Sequence, residues 1–297
     1  MRSPQTLRMR LEIAYIAMAF VIAGYAVAEY RGRRGPTKPG PGDTALDLTS
    51  TVLITGAVGP AVLFASEALS LRLAPGSQGL WAGLPWPVMF LCFLIGDDLV
   101  QYGWHRLSHS VPFLYTLHRA HHSAGYMGIR MIYRNNVLYY ALMPNLWISG
   151  VLLHLGLWPV YPYYVILKLT VIAGAHSSVH WDAFLYRDPR LHRIAWIIER
   201  VFSTPATHNA HHGQHASDEH TFYKGNYGNL LFLWDVLFGT ARITRGYPER
   251  YGIENLPAQP WHTELFWPLI PLRHTPNDEG AKPPLANAPP RSTTPTP

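Results

Sequence analysis

The sequence DLVQYGWHRLSHSVPFLYTLHRAHHS, at residues 98–123, combines helical periodicity with a high density of histidine. Asp98, Tyr102, His105 and His109 recur at spacings of four, three and four residues, which places them on one face of an α-helix. Asp98 or Tyr102 could accept a ring proton of a histidine on this face and so fix its tautomer, as the partners of ligand histidines do at metal sites. The alternative is that Asp98 is an ordinary helix-capping or interfacial carboxylate.

Ten histidines form four clusters in which histidine returns every three or four residues. The clusters are His105 and His109; His118, His121 and His122; His176 and His180; and His208, His211 and His212. In a helix these separations bring imidazoles onto one face, about 5–6 Å apart at Cβ, which suits one metal ion or two adjacent ions. Without metal, the rings would be unpaired polar groups or mutually repelling cations. The pattern therefore predicts a metal site, and an all-imidazole ligand set suits iron, zinc or copper.

The other six histidines are not expected to be ligands. His154, His192, His262 and His274 are interpreted as hydrogen-bonded core or interface residues, and His215 and His220 fall in a polar loop, 213–224, that interrupts helical spacing.

The composition is that of a membrane protein. Charged residues make up 14 % of the chain, against about 25 % in an average soluble domain, and the chain has 48 % hydrophobic residues and ten tryptophans. The net charge of +6 does not indicate nucleic acid, because the arginines lie beside apolar runs and form no basic helix face; lipid headgroups explain them better. The single cysteine, Cys92, excludes an intramolecular disulfide and a cysteine-based metal site.

Apolar runs predict an all-α integral membrane bundle of about four to five membrane helices. The runs cover residues 11–28, 46–73, 86–95, 137–158 and 161–175, the last two joined as a helical hairpin. The first run lacks a small-residue cleavage site and is expected to be retained. The third continues into polar sequence without a helix breaker, so one helix is expected to leave the membrane and carry ligands beyond it. Lys168 is expected to snorkel or to face protein, and Asp97 receives no role.

Positively charged residues predict the orientation. Two loops carry them, one with Arg31, Arg33, Arg34 and Lys38 and the other with Arg106, Arg119, Arg130 and Arg134, whereas Arg2, Arg8 and Arg10 do not fit the scheme. The histidine clusters then form a helical cap on the cytoplasmic face. The predicted organisation is N-terminal membrane helices and a linker at 1–85, a domain with the histidine clusters at 86–252, and an extension at 253–297 with a disordered tail from 276.

Five motifs carry a resemblance to a known family. HRLSH (105–109), LHRAHHS (117–123), TPATHNAHHG (204–213), NYG (226–228) and WDVLFGT (234–240) are similar to the fatty acid hydroxylase and sterol desaturase superfamily over about residues 87–252, and nearest to its alkylglycerol monooxygenase-like bacterial branch. The resemblance implies that the ten histidines hold a dinuclear centre, of iron in active enzymes with zinc as a substitute. It adds Asn226 and Asp235 to Asp98 and Tyr102 as candidates for orienting the ligands.

The resemblance also implies a function, namely a membrane-bound non-haem di-iron enzyme that uses dioxygen to hydroxylate a fatty acyl, sterol, carotenoid or related lipid. Desaturation and ether-lipid cleavage on the same site remain open, and a non-catalytic metal-binding membrane protein is the distant alternative. Tyr139, Tyr140, Trp147, Tyr163 and Tyr164 are expected either to line an apolar entrance or to form a membrane-interface belt. No dinucleotide fingerprint, haem domain or iron–sulfur cysteine motif occurs, so a separate electron donor is expected.

Overall fold

The computed structural model describes residues 4–32 and 39–273, with side chains from residue 16 onward. Within that part all regular secondary structure is helical, and the only β pairing is two isolated bridges, Phe202 with Leu231 and Gly213 with Tyr251. The prediction of an all-α protein is confirmed. Arg2, Arg33, Arg34, Lys38, His274 and the tail from 276 lie outside the described residues.

The N-terminal part consists of long helices. Helix α1 is Pro4–Gly32, and α2, Asp43–Leu53, continues through a π-helical turn into α3, Gly59–Leu73. Together, residues Asp43–Leu73 form the one helix among the described residues that is long and apolar enough to cross a bilayer. It contains the predicted run 46–73, and large apolar side chains such as Phe64 point away from the protein. The larger number of four to five membrane helices remains a prediction.

The first histidine cluster lies at the end of a long continuous helical stretch. Helix α4, Trp86–Phe93, passes through a π-helical segment, Leu94–Leu99, into α5, Val100–Ser108. No proline or glycine cap interrupts the stretch, so the chain stays helical from the apolar run to the polar ligands, as the sequence indicated. Helix α6, Pro112–His122, follows after a short turn and presents the second cluster.

The predicted arm 137–158 is two helices. Helix α7, Val137–Leu142, ends before Pro144, the first residue of α8, Pro144–His154. Proline lacks the N–H that a continuous helix needs and its ring clashes with the preceding turn, so the arm breaks there. Helix α8 packs on α3, where the Ser66 hydroxyl donates to the Trp147 carbonyl oxygen at 2.6 Å, and a Cβ added at Gly150 would lie 2.5 Å from that of Ser66.

Six further α-helices follow along the described part of the chain. They are α9, Tyr161–His176; α10, Ala183–Arg187; α11, His192–Val201; α12, Pro205–His212; α13, Leu233–Phe238; and α14, Trp261–Phe266. Helix α12 starts with a capping box of Thr204 and Thr207 and has Pro205 in its first turn, which accounts for its sharp N-terminus. It packs against α9, which in turn packs against α1. This arrangement brings the third and fourth clusters together.

Candidate metal centre

Eight of the ten predicted ligands form two groups of four, each able to hold one metal ion. One group is His105, His109, His122 and His211; the other is His121, His176, His208 and His212. Within each group the ligand nitrogens lie within 4.8 Å of one another, and every ring is buried. The rings of His122 and His212 stack at a centroid distance of 4.3 Å, so the two groups are adjacent. Helical spacing in α5, α6 and α12 produces this convergence, because each helix turns one face towards the same centre.

Backbone carbonyl oxygens fix the orientation of four of these rings. The Nδ1 of His105 lies 2.7 Å from the Tyr227 carbonyl oxygen, and that of His211 lies 2.7 Å from the Gly225 carbonyl oxygen. In the second group, the Nδ1 atoms of His121 and His176 contact the carbonyl oxygens of Arg134 and Ile172 at 3.2 and 2.9 Å. A carbonyl oxygen only accepts, so Nδ1 must carry the proton in all four rings. Each Nε2 is then left with a free lone pair.

Those lone pairs face one another. The Nε2 atoms of His105 and His211 are 3.0 Å apart, and those of His121 and His176 are 3.3 Å apart. Burial and the neighbouring imidazoles hold the pKa of His211 and His121, one ring of each pair, well below the usual value, so these rings are neutral and cannot supply a proton between the nitrogens. Two opposed lone pairs repel unless a cation lies between them. Both groups therefore fit a metal ion, in the neutral Nε2 form that metals bind.

The other two predicted ligands lie outside these groups. The Nε2 of His118 is 3.2 Å from that of His122, and its ring stacks on Tyr139, so it borders the first group. His180 is stacked on Tyr247 at a centroid distance of 3.5 Å. Helix α9 ends at His176 and Ser177 is extended, so the spacing of four residues does not bring His180 beside His176.

Two of the predicted orienting residues, Asn226 and Asp235, hold the loop whose carbonyl oxygens accept hydrogen bonds from His105 and His211. Asp235 accepts hydrogen bonds from the backbone N–H groups of Tyr227 and Gly228 at 2.9 and 2.6 Å. The Asn226 side chain donates to the Thr207 carbonyl oxygen at 2.9 Å, which ties the loop to α12. Asn226 has a positive φ of 58°, which asparagine tolerates better than most residues. The loop thus holds the Gly225 and Tyr227 carbonyl oxygens against two ligand rings.

The other two predicted orienting residues contact no ligand nitrogen directly. The Asp98 carboxylate accepts from the Leu231 backbone N–H at 3.1 Å and the Trp234 indole N–H at 2.8 Å. The Tyr102 hydroxyl contacts the Thr240 hydroxyl at 2.9 Å. The ring proton of His105 goes to the Tyr227 carbonyl oxygen. Asp98 and Tyr102 therefore connect α5 and the π-helical segment before it to the residues around α13.

Asp182 and Arg134 contribute to the site although the sequence pattern did not reveal them. The Asp182 carboxylate accepts from the Ala206 backbone N–H at 2.8 Å, at the N-terminus of α12, and from the Tyr247 hydroxyl at 2.6 Å. The Arg134 guanidinium donates to the Ala120 carbonyl oxygen at 2.7 Å, near the end of α6. The position of Asp182, two residues after His180, was the one available signal. Both side chains fix ligand helices through backbone groups, which side-chain spacing cannot show.

A cavity opens beside the histidines. His105, His118, His121 and His176 form one side of it. Aromatic and apolar residues form much of the remaining wall, among them Ile132, Tyr133, Tyr139, Tyr140, Met143, Leu146, Tyr161, Tyr164 and Leu169. Of the aromatic residues predicted to line an entrance, Tyr139, Tyr140 and Tyr164 lie on this wall, whereas Trp147 and Tyr163 do not. A long apolar molecule suits such a wall.

Comparison with known proteins agrees with this geometry. A model of the family described as fatty acid hydroxylase matches residues 90–240, about half of the chain, and the matched segment contains both groups of four histidines. The chain belongs to the fatty acid hydroxylase family. The resemblance inferred from the motifs is confirmed.

Individual relatives are distant. The chain is 26 % identical to human alkylglycerol monooxygenase over 68 % of this chain and 41 % of that protein, and 24 % identical to the Danio rerio enzyme of that name over 61 % and 37 %. It is 27 % identical to the ornithine lipid hydroxylase OlsE of Rhizobium tropici over 67 % and 57 %. The chain thus spans about two fifths of the alkylglycerol monooxygenases and over half of the hydroxylase. No solved structure shows significant similarity to the chain.

We expect loss of the Asp235 carboxylate to loosen the metal site. In Asp235→Asn one acceptor for the loop N–H groups is replaced by a donor, so the Tyr227 carbonyl oxygen would shift from His105. Metal retention should fall about 10–100-fold, as is typical when a partner of a ligand is lost. Titration with a competing chelator measures this. Asp188→Asn is the matched control, because Asp188 accepts from the Arg190 backbone N–H in an exposed turn. Equal retention in both variants would contradict an orienting role for Asp235.

Proposed function

We propose that the chain is a membrane-bound non-haem di-iron oxygenase that uses dioxygen to hydroxylate a lipid. The observation that supports it most is the pair of four-histidine groups with opposed ring nitrogens, opening on an aromatic and apolar cavity. A structural metal ion needs about four ligands and no cavity, so a purely structural role explains neither the second group nor the space beside it.

Surface features support residence in a membrane. The helix Asp43–Leu73 has the length and composition to cross a bilayer. Exposed apolar side chains continue on α4 and in the π-helical segment after it, where Leu91 and Ile95 are about half exposed. Such side chains face lipid favourably, whereas in water they would form an unusually large apolar patch. The distribution of arginines favours the cytoplasmic side for the histidines.

The reaction is beyond acid–base side chains, because an unactivated C–H bond must be broken. Two iron ions in these groups would supply the redox chemistry that activates dioxygen. The balance for hydroxylation is one C–H bond, dioxygen, two electrons and two protons giving one C–OH bond and one water molecule. The chain supplies the rest: carbonyl oxygens hold the ligand rings in one tautomer, burial keeps bulk water from the rings, and the cavity wall orients the lipid chain.

The electrons are proposed to come from a separate electron-transfer protein or another reductant, because the chain contains none of the common motifs for a redox cofactor. The names of the relatives support a lipid as substrate, since they include an alkylglycerol monooxygenase and an ornithine lipid hydroxylase. Desaturation and ether cleavage require the same site and differ in where the lipid places its reacting carbon.

Lipid analysis under isotopic dioxygen tests the proposal. Membranes of cells that express the chain are compared with membranes of cells that express His211→Ala, both grown under ¹⁸O₂. We expect one lipid to gain a single labelled oxygen atom only with the wild-type chain. A lipid lighter by two hydrogens would mean desaturation, and a released aldehyde would mean ether cleavage. Changes in water-soluble metabolites alone would contradict a lipid oxygenase.

A further inference from the structure

A buried ion pair lies on the same cavity as the histidines. Asp97 and Lys168 both line it, and the Lys168 ammonium donates to the Asp97 carboxylate. The pair is largely shielded from solvent, with side-chain exposures of 5 % and 14 %. The Asp97 carboxylate also accepts from the Tyr164 hydroxyl at 2.8 Å and the Ser149 hydroxyl at 2.6 Å. Lys168 thus faces protein, and Asp97, which received no role from the sequence, accepts hydrogen bonds from these three side chains and so forms a polar end of the cavity.

Acceptors without donors lie on the wall of this cavity, and one of them belongs to Asn145, whose side-chain nitrogen is 3.4 Å from the Asp97 carboxylate. The side-chain carbonyl oxygens of Gln101, Asn135 and Asn145 are buried and have no hydrogen-bond partner among the described residues. All three residues line the cavity, and Asn135 and Asn145 are only 5 % and 1 % exposed. Buried acceptors are rarely left unpaired, because the lost solvation is costly. Their presence in one cavity indicates a ligand that brings a hydrogen-bond donor into it.

The polar end lies at a defined distance from the metal ligands. Asp97 and His105 are eight residues apart on one helical stretch, and Lys168 and His176 are eight residues apart on α9. With a rise of 1.5 Å per residue, each separation corresponds to about 12 Å. Two helices that line the cavity therefore place the ion pair and the histidines at its opposite ends.

We propose that Asp97, Lys168 and the amide oxygen of Asn145 bind a neutral hydroxyl group of the lipid substrate, about 12 Å along the helices from the metal-ligating histidines. The inference rests on the proposed function, which it deepens by naming the substrate class. A hydroxyl both donates and accepts, so it satisfies an amide oxygen and takes one N–H of the ammonium. A carboxylate or an ammonium fits poorly, because the Asp97–Lys168 pair is already neutral and a third charge would be buried without a counter-ion.

Four probes of equal chain length test this binding mode. Zinc-loaded protein in detergent, which does not turn over, is titrated with 1-hexadecanol, its methyl ether, hexadecanoic acid and hexadecylamine, in competition with radiolabelled 1-hexadecanol. We expect the alcohol to bind about tenfold or more tightly than the ether, which cannot donate, and more tightly than either charged probe. If the ether binds as well as the alcohol, water satisfies the amide oxygens, and the proposal is wrong. Tighter binding of the acid or the amine, or no binding of any probe, would also overturn it.

A double variant isolates the ion pair. Asp97→Asn combined with Lys168→Met removes both charges together, so no single charge is left buried. The alcohol should lose its advantage over the ether, while binding of the ether shows that the cavity is intact. Asn145→Leu, which keeps both charges, should also weaken binding of the alcohol selectively. Arg72→Met is the control, because Arg72 is an exposed cation on α3 that does not line the cavity. Unchanged selectivity in both cavity variants would contradict the assignment.

The position of oxidation separates this inference from the proposed function. With iron, dioxygen and reductant, 1-hexadecanol should be oxidised in the interior of its chain and not beside the hydroxyl, as mass spectrometry of the product shows. Oxidation beside the hydroxyl would contradict the placement. Selective binding without oxidation of any lipid would leave the binding site standing and remove the proposed function. Oxidation of lipids without selectivity for the alcohol would support the proposed function and contradict the hydroxyl-binding site.

Discussion

Replacement of His211 by alanine should abolish lipid oxidation and empty the first metal group. The Nε2 of His211 lies 3.0 Å from that of His105, and its Nδ1 is held by the Gly225 carbonyl oxygen. Loss of this ring removes one of the four ligands, and it also leaves the Nε2 of His105 without the opposing nitrogen across the metal position. We expect turnover to fall below detection and metal content to fall by about half or more, while the chain still inserts in the membrane, because insertion depends on apolar segments.

The control for this variant is His220→Ala. His220 lies in the polar loop beyond α12, belongs to neither group of four, and is only partly buried beside Glu219. Metal content measured by mass spectrometry and lipid oxidation measured with labelled dioxygen should match the wild-type values in this control. Full activity in His211→Ala, or equal losses in both variants, would contradict the assignment of His211 to the centre.

Replacement of Arg134 by methionine should destabilise the protein by about 3 kcal/mol, the lower end of the cost of breaking a buried ion pair, because Asp47 keeps its contact with Arg130. The Arg134 side chain is 4 % exposed and its Nη1 lies 2.6 Å from an Asp43 carboxylate oxygen and 3.2 Å from an Asp47 oxygen. The Asp47 side chain is 1 % exposed. The same guanidinium donates to the Ala120 carbonyl oxygen, so α2 and α6 are joined through it.

Arg130→Met is a matched control, because Arg130 pairs with the same Asp47 at 2.9 Å but is 40 % exposed. An exposed pair contributes about 1 kcal/mol or less. Thermal unfolding of the two variants in the same detergent measures the difference. Equal melting temperatures for Arg130→Met and Arg134→Met would show that burial of the ion pair does not decide its contribution.

Sequence spacing predicted the parts of the site that depend on helix geometry. His208, His211 and His212 converge because they lie within α12, and His105 and His109 occupy the end of α5 and its cap. The spacing of four residues does not place His180 beside His176, because α9 ends at His176 and Ser177 is extended. Spacing carries spatial information only as far as the helix that contains it.

Tertiary contacts explain what the sequence did not reveal. The partners of the ligand rings are mainly backbone carbonyl oxygens, such as those of Gly225 and Tyr227, and every residue has one, so no side-chain motif marks them. Lys168 and Asp97 are 71 residues apart and meet only because two helices pack together. The break before Pro144 was visible in the sequence, but the apolar run around it favoured one continuous arm.

Metal analysis of the purified full chain tests the dinuclear centre most directly. Two groups of four buried imidazoles, with lone pairs opposed at 3.0 and 3.3 Å, predict two metal ions per chain. Iron is expected in active material, and zinc can take its place without loss of the fold. Elemental analysis combined with quantitative amino-acid analysis should give a ratio near two for the wild-type chain. A folded, monodisperse sample that binds one ion or none under metal-replete conditions would contradict the dinuclear centre.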